Sequence, residues 1–168
     1  DNNLGMDEVG IPVQFAKKLD YPTPVTSWNA KQMRQLVENG PDIYPGANQI
    51  ETAEGRIIRL DKFSKHERAA KAKLLLSNPG VKVYRHLMNG DCLLMNRQPT
   101  LHKPGIMSHK ARILTHVKES TIRMNYANCN AYNADFDGDE MNSHFVQVSS
   151  SCVLSNITLF CHACFVVL

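Results

Sequence analysis

The hydrophobic positions of the chain follow helical and strand-like periods. Helical spacing begins after Asn29, an expected N-cap, and continues to Gly40, which is expected to end the helix. A charged helix is predicted over residues 64–76 and a short one after Pro12. The inward face of the first helix is expected to carry Met33, Leu36 and Val37.

Short apolar or alternating runs, typical of strands, occupy much of the remaining chain. Residues 41–55 are rich in turn-forming residues and are predicted as a loop. Because several short strands precede one polar loop without any repeat between them, the pattern favours a small barrel in a mixed α+β fold. The predicted strands lie at residues 56–60, 81–86, 91–95, 111–117 and 121–126.

The polar loop after these strands is the most informative segment. Residues 133–140 read NADFDGDE, so that Asp135, Asp137 and Asp139 stand at alternate positions around Gly138. Alternate side chains of an extended backbone point the same way, and the glycine lets the chain tighten until the carboxylates converge. Three unpaired carboxylates repel one another, and a divalent cation compensates that repulsion. An all-oxygen donor set favours Mg²⁺, Mn²⁺ or Ca²⁺ over Zn²⁺.

Two alternatives to this metal site stay open. An EF-hand fits the first half of the loop, but its last ligand position holds His144 instead of glutamate, and strand-like alternation precedes the loop. The other alternative is a solvated acidic turn without a ligand, because acidic turns containing glycine are common. Phe136, inside the loop, is expected to anchor it to the fold and not to stack on a base.

Composition adds a basic segment to this picture. The chain has 168 residues, is 43% hydrophobic and carries a formal net charge of +3, values that exclude a disordered chain. Between Asp91 and Glu119 there is no acidic residue. Beside an acidic metal loop, such a segment is typical of a phosphate-facing surface, although each residue could also belong to a solvated face. Its basic residues are Arg97, Lys103, Lys110, Arg112 and Lys118.

Residues 96–104 read NRQPTLHKP and directly follow a predicted strand. Together with the NADFDGD loop, this segment resembles the largest subunit of multisubunit DNA-directed RNA polymerases. The similarity extends from Asp1 to about Phe145 and includes the runs DEVGIP, NGP and PGA. Residues 12–26 and 126–129 are most similar to eukaryotic RNA polymerase I. The chain is therefore identified as a fragment of this family around its catalytic loop.

The resemblance implies a fold, a reaction and partners. The fold would be a partial double-psi β-barrel with short peripheral helices over residues 1–145, followed by a divergent tail over residues 146–168. The reaction would be template-directed nucleotidyl transfer from ribonucleoside triphosphates to the RNA 3′ end, with ribosomal RNA as the product. The implied partners are the second-largest subunit, other polymerase subunits, template DNA and nascent RNA, without a membrane. The implied location is the nucleus, and within it the nucleolus.

The family also implies roles for individual residues. Its NADFDGD loop holds the catalytic Mg²⁺, and its NRQP loop lies against the incoming nucleotide. Arg97 and Asn133 match the residues that bind the substrate sugar, and Gln98 belongs to the same neighbourhood. For Arg97 and Asn133, an exposed arginine and a turn asparagine are the alternatives. The implied catalytic residues and metal ligands are Asp135, Asp137 and Asp139.

The two ends of the chain call for separate expectations, and only the tail departs from the family. Asp1 is not an initiator methionine, so an internal fragment boundary is expected there. Residues 154–168 are apolar but shorter than the roughly 20 residues of a spanning helix. A CxxC run at residues 161–164 lacks the second pair of a zinc site. An alternative coding end is the favoured hypothesis for residues 146–168.

Three functions remain open on the sequence alone. The first is a catalytic fragment of a DNA-directed RNA polymerase. The second is a cell-encoded RNA-dependent RNA polymerase with a related loop, which the residues around Asn133 and Arg97 disfavour. The third is a non-catalytic truncated product that only binds metal or polymerase partners. Because the family's active site also needs a second subunit, a bridge helix and a trigger loop, activity is expected only in a complex.

Overall fold

The chain forms two β-sheets, and each belongs to its own compact unit. The computed structural model describes residues 1–75, 80–116, 118, 120–145 and 165–166. One unit combines Asp1–Phe15 with Met88–Leu168, and the other is the continuous segment Ala16–Leu87. The predicted mixed α+β class is confirmed.

Strands and short helices alternate along the described chain. Single 3₁₀ turns lie at Leu60–Lys62, Lys103–Gly105 and Tyr126–Asn128. In chain order the other elements are β1 (Glu8–Pro12), α1 (Val13–Ala16), β2 (Asp20–Pro24), α2 (Ala30–Asn39), β3 (Ala47–Glu51), β4 (Ile57–Arg59), α3 (Lys65–Leu75), β5 (Lys82–His86), β6 (Cys92–Asn96), β7 (Ile106–Leu114), β8 (Arg123–Met124), α4 (Cys129–Tyr132), β9 (Asn142–Phe145) and β10 (Phe165–Val166).

Strand β1 occupies an interior position in the sheet of the first unit, whose order is β10-β9-β6-β7-β1-β8. It runs parallel to β7 and antiparallel to β8. Val9 lies opposite Ala111 and Ile11 opposite Ile113, and all four side chains are buried. Apolar burial between the two distant parts of the chain therefore holds this sheet together.

The strands of this sheet do not close into a barrel within the described residues. Strands β8 and β10 stand at the two ends of the strand order. The double-psi barrel implied by the resemblance is therefore not observed, and the described residues form an open mixed sheet.

The pairing of β6 with β9 brings two distant loops to the same edge. Asn96, the last residue of β6, lies opposite Asn142, the first residue of β9. Arg97 follows the first strand, and Asp139 shortly precedes the second. Antiparallel register therefore places the NRQP loop beside the aspartate loop.

The second unit has an antiparallel sheet with the order β2-β5-β3-β4 and the helices α2 and α3. Helix α2 ends as predicted, because the N–H of Gly40, at φ 69°, donates to the carbonyl of Leu36. Asn29 stands at the N-cap, but its side chain bonds Thr26 and Pro24 instead of the first turn. The face predicted to be buried is confirmed by Met33, Leu36 and Val37.

Three segments differ from the sequence-based prediction. The expected loop at residues 41–55 contains β3, which buries Ala47 and Ile50. Strand β7 begins at Ile106, well before residue 111. The strand expected at residues 121–126 is only the short β8, because the Asn125 side chain accepts from the Ala127 N–H and turns the chain into the 3₁₀ turn before α4.

Most of the predicted tail lies outside the described residues, and the CxxC run lies there too. The hypothesis of an alternative coding end concerns the same residues. The backbone of Phe165–Val166 pairs with β9, opposite His144 and Ser143. Among the helices that the structure describes, none has the length and apolar character needed to cross a membrane.

Candidate functional site

The three predicted aspartates converge in the loop between α4 and β9. One carboxylate oxygen from each of Asp135, Asp137 and Asp139 lies within 4.8 Å of the other two. The first two residues are exposed and the third is half-buried. Gly138 has a φ of 111°, a conformation that side chains disfavour, so the glycine permits the tight turn that brings the carboxylates together.

Helix α4 fixes the start of this loop. Its C-cap, Asn133, adopts a left-handed conformation with φ 49°, which asparagine tolerates better than most residues. Buried Tyr132 places its hydroxyl 2.8 Å from Nε2 of buried His109 on β7. His102 Nε2 lies 3.1 Å from the carbonyl oxygen of Ala131. Two histidines therefore hold the helix that leads into the aspartates.

His109 and Tyr132 were not predicted as contributors to the site. A signal for His109 exists in the sequence, because it alternates with Ala111 and Ile113 on β7 and so faces the same side of the sheet. No comparable periodicity identifies Tyr132, which lies in a helix of a single turn.

Arg97 is held against Asp139 by two hydrogen bonds. Its Nε donates to Oδ2 at 2.8 Å, and its Nη2 donates to Oδ1 at 3.0 Å. Asp139 Oδ2 also accepts the backbone N–H of Asp135 at 3.0 Å. The side chains of Arg97 and Asp139 are each only 20% exposed. This bidentate pair therefore joins the two predicted loops.

The pKa values of Asp135 and Asp139 are shifted in opposite directions. The hydrogen bond from Arg97 keeps the pKa of Asp139 below its usual range. The hydrogen bond with Asp137, together with burial and the neighbouring negative charges, raises the pKa of Asp135. Arg97 therefore stabilises the carboxylate form of Asp139, whereas the surroundings of Asp135 disfavour its carboxylate form.

This donor set fits a hard divalent cation such as Mg²⁺. Three carboxylate oxygens converge within 4.8 Å of one another, and a divalent cation relieves the repulsion between carboxylates held so close together. An EF-hand is not formed, since a single-turn helix precedes the loop and β9 follows it. His144, at the expected last ligand position, lies in β9 opposite Leu94.

The NRQP loop is anchored by a buried asparagine. Asn96 Nδ2 donates to Thr100 Oγ1 at 2.6 Å and to the carbonyl of Gly105 at 3.1 Å. Gln98 follows Arg97 at the surface, and Asn133 is exposed beyond α4. Contact of these residues with a substrate sugar stays a prediction.

Two other expectations change with the structure. Phe136 is 81% exposed and stacks on Tyr126 with ring centroids 6.0 Å apart, so the expected anchoring role is wrong.

In the basic segment, Lys110 pairs with Asp7 at 2.9 Å and Arg112 pairs with Glu8 at 3.3 Å. These pairs connect β7 to the start of the chain.

Comparisons with known proteins extend the match over most of the chain. Residues 1–159 match the family described as RNA polymerase Rpb1, domain 2. DNA-directed RNA polymerase I subunit RPA1 of Drosophila melanogaster is 57% identical over 150 residues, covering 88% of this chain and 9% of that protein. Subunit RPA190 of the same polymerase from Saccharomyces cerevisiae is 52% identical over 155 residues, covering 88% and 9%.

The similarity reaches a further polymerase class. DNA-directed RNA polymerase III subunit RPC1 of Homo sapiens is 44% identical over 151 residues, which cover 90% of this chain and 10% of that protein. The chain thus spans about a tenth of the length of the curated relatives it matches.

Proposed function

Because the chain belongs to the family of RNA polymerase largest subunits, as its match to Rpb1 domain 2 shows, we propose that it supplies the catalytic loop for template-directed RNA synthesis. The predicted resemblance to this family is confirmed, and so is its preference for polymerase I, whose subunits are 45% to 57% identical. The observation that carries the proposal is the convergence of three aspartates beside Arg97.

The chain's own residues would act mainly by positioning. Asp135, Asp137 and Asp139 would hold Mg²⁺. When bound, the ion supplies charge neutralisation and lowers the pKa of the attacking RNA 3′-hydroxyl. The carboxylates fix the place at which charge is neutralised, so that alignment rather than covalent catalysis lowers the barrier.

Substrate recognition is assigned to the residues beside the metal loop. Arg97, Gln98 and Asn133 would contact the sugar of a ribonucleoside triphosphate. A contact to the 2′-hydroxyl distinguishes ribose from deoxyribose. The position of Arg97 on a strand-anchored loop supports this role, because a contact that selects between sugars needs a fixed donor.

The polymerase I relatives support a more specific assignment. The product would be ribosomal RNA, made in the nucleus and within it the nucleolus. The partners would be the second-largest subunit, other polymerase subunits, template DNA and nascent RNA. In that complex the open sheet of the first unit would form part of a double-psi β-barrel.

A second candidate function is suggested by how little of its relatives' length the chain covers. A chain spanning about a tenth of their length contains a small part of any polymerase. A non-catalytic product that binds metal or polymerase partners therefore remains the alternative. Metal binding alone agrees with both functions, whereas RNA synthesis by an assembled enzyme agrees only with the first.

The metal site is tested by Mn²⁺ binding to the purified chain, followed by calorimetry and electron paramagnetic resonance. We expect binding that is lost when Asp135, Asp137 and Asp139 are all replaced by alanine. The matched control replaces three acids of the second unit, Asp42, Glu54 and Asp61, and removes the same charge. Equal binding by both triple variants would contradict the metal assignment.

The catalytic role is tested in an assembled polymerase that carries this sequence. Asp137→Ala is expected to abolish RNA synthesis while leaving subunit assembly intact, because the variant loses a metal ligand and no core contact. Primer extension measures synthesis, and gel filtration measures assembly. Normal elongation by the variant would exclude the proposed role.

A further inference from the structure

The pair between Arg97 and Asp139 differs from the other ion pairs at the surface. Both of its side chains are 20% exposed, whereas those of Arg56 and Glu54 are 82% and 75% exposed. Partial burial and bidentate geometry make such a pair stronger than a solvated one. The guanidinium thus binds a carboxylate that the proposed function assigns to the metal.

The chain segments next to Arg97 and Asp139 hold the two residues beside each other. The residue before it, Asn96, is buried and bonds Thr100 and Gly105, so the loop leaves β6 in a fixed direction. Asp139 lies shortly before β9, which pairs with β6 through Asn142. Strand register therefore brings the two side chains of the ion pair together.

Three donors already occupy Asp139 in this arrangement. Both of its oxygens accept from Arg97, and Oδ2 also accepts the N–H of Asp135. Asp135 and Asp137 are both exposed to solvent. A divalent cation that approaches the loop therefore meets two available carboxylates and one that Arg97 has neutralised.

We propose that Arg97 competes with the divalent cation for Asp139, so that the cation enters through Asp135 and Asp137 and completes its binding only as Arg97 gives up part of its pair. The proposal rests on the metal site of the proposed function. It adds a coupling between cation binding and the Arg97–Asp139 pair, because binding of the cation releases the Arg97 guanidinium from Asp139. By linkage, a substrate group that binds Arg97 strengthens cation binding to the same degree.

Removal of the Arg97 charge should tighten metal binding. Displacing a partly buried, bidentate arginine from one of the three carboxylates weakens cation binding by roughly tenfold. Arg97→Gln is therefore expected to lower the Mn²⁺ dissociation constant of the full 168-residue chain by about tenfold. Arg97→Lys keeps the charge but loses the bidentate geometry, so its constant should lie between the two.

The competition is tested with a double-mutant cycle on Mn²⁺ affinity, measured by electron paramagnetic resonance. The four proteins are the wild type, Arg97→Gln, Asp139→Asn and the double variant. The tightening caused by Arg97→Gln should shrink to less than about threefold once Asp139 is neutral, because the competitor has lost its carboxylate. Lys110→Gln is the matched control, since it removes the same charge from another ion pair of the first unit, and its affinity should stay unchanged.

A second measurement reports the release of Arg97 directly. In the wild-type chain titrated with Mg²⁺, the Nε–H resonance of Arg97 should move and exchange faster with water as the loop loads. Unchanged or weaker Mn²⁺ binding by Arg97→Gln, or equal tightening in the Asp139→Asn background, would overturn the competition while leaving the metal site intact. Absence of loop binding in both the wild type and Arg97→Gln would instead overturn the metal site, and the competition with it.

Discussion

At the scale of single residues, His86 is the residue of the second unit whose pKa is shifted most strongly. It is fully buried, and its Nε2 lies 3.0 Å from Oδ1 of Asn48. The Asn48 amide donates to the carbonyl of Lys17, so its oxygen is the acceptor and His86 Nε2 carries the proton. Within the described residues Nδ1 has no partner. Burial therefore lowers the pKa of His86 to about 4, and the ring is neutral in the folded chain at neutral pH.

This histidine should make the second unit sensitive to acid. In the unfolded chain its pKa is about 6.5, so between pH 6.5 and about 4 the unfolded state binds more protons than the folded state. Stability should then fall as the pH falls, by about 2 kcal/mol between pH 7 and pH 5. Urea denaturation at the two pH values measures the loss.

The matched variant for this measurement is His86→Gln, whose amide can still donate to Asn48. Between pH 7 and pH 5, the variant should lose about 2 kcal/mol less unfolding free energy than the wild type, because that loss is assigned to His86. His109, whose pKa is also lowered by burial, is present in both proteins and cancels in the comparison. The same pH dependence in the two proteins would contradict the role of His86.

The candidate site shows which residue contacts can be predicted from a sequence. The convergence of Asp135, Asp137 and Asp139 follows from local spacing around Gly138 and was predicted correctly. The pair between Arg97 and Asp139 joins residues 42 positions apart. No periodicity links such positions, so the pair becomes visible only when β6 and β9 are in register.

At the scale of elements, α4 is too short to be stable through its own hydrogen bonds. A single turn pays the cost of helix nucleation without the gain of propagation, so side-chain contacts must hold it. The bonds of Tyr132 to His109 and of Ala131 to His102 provide those contacts. The orientation of the aspartate loop therefore depends on a helix that is anchored from β7 and the NRQP loop.

Removal of one hydroxyl tests this anchor. Tyr132→Phe leaves Nε2 of buried His109 without its partner, which should destabilise the chain by about 1–3 kcal/mol. Tyr126→Phe is the matched control, because Tyr126 is 65% exposed and the same change should cost less than about 0.5 kcal/mol. Urea denaturation gives both values, and equal losses would show that the hydroxyl of Tyr132 does not anchor α4.

The elements that sequence periodicity missed have a common cause. Helix α2 was predicted because its apolar face lies within one continuous segment. Strand β1 contains Gly10 and Pro12, which are uncommon inside strands, and its parallel partner β7 lies far along the chain. Strand β3 lies in a segment rich in turn-forming residues and is stabilised by its pairing with β4 and β5. Where tertiary pairing determines an element, local pattern is insufficient.

At the scale of the whole molecule, the second unit is inserted into the first. The first unit needs both parts of the chain, since β1 from its first part lies between β7 and β8 from its second. The boundaries at Ala16 and Leu87 carry no linker rich in proline, glycine or serine, so composition did not reveal them. The boundary predicted after residue 145 stays a prediction.

The ends of the second unit lie side by side, which predicts that Ala16–Leu87 folds on its own. The N–H of Leu87 donates to the carbonyl of Ala16 at 3.2 Å, so excision strains neither end. The unit has its own apolar core, although its length is near the lower limit for an independent domain. Among the side chains of this unit that the structure describes, the buried apolar ones are Ala16, Leu19, Met33, Leu36, Val37, Ala47, Ile50, Leu60, Ala72, Val81, Val83 and Leu87.

A fragment of residues 14–89 should therefore unfold in one cooperative urea transition, monitored by circular dichroism. Leu36→Ala in the fragment should cost about 2–5 kcal/mol and shift or abolish that transition, because Leu36 is buried in α2. The complementary protein, in which a short Gly-Ser linker joins Phe15 to Met88, should keep the Mn²⁺ affinity of the full chain. If the fragment loses structure gradually and Leu36→Ala has no effect, the core of the second unit depends on the first. The inserted segment would then be part of one folding unit with the aspartate loop.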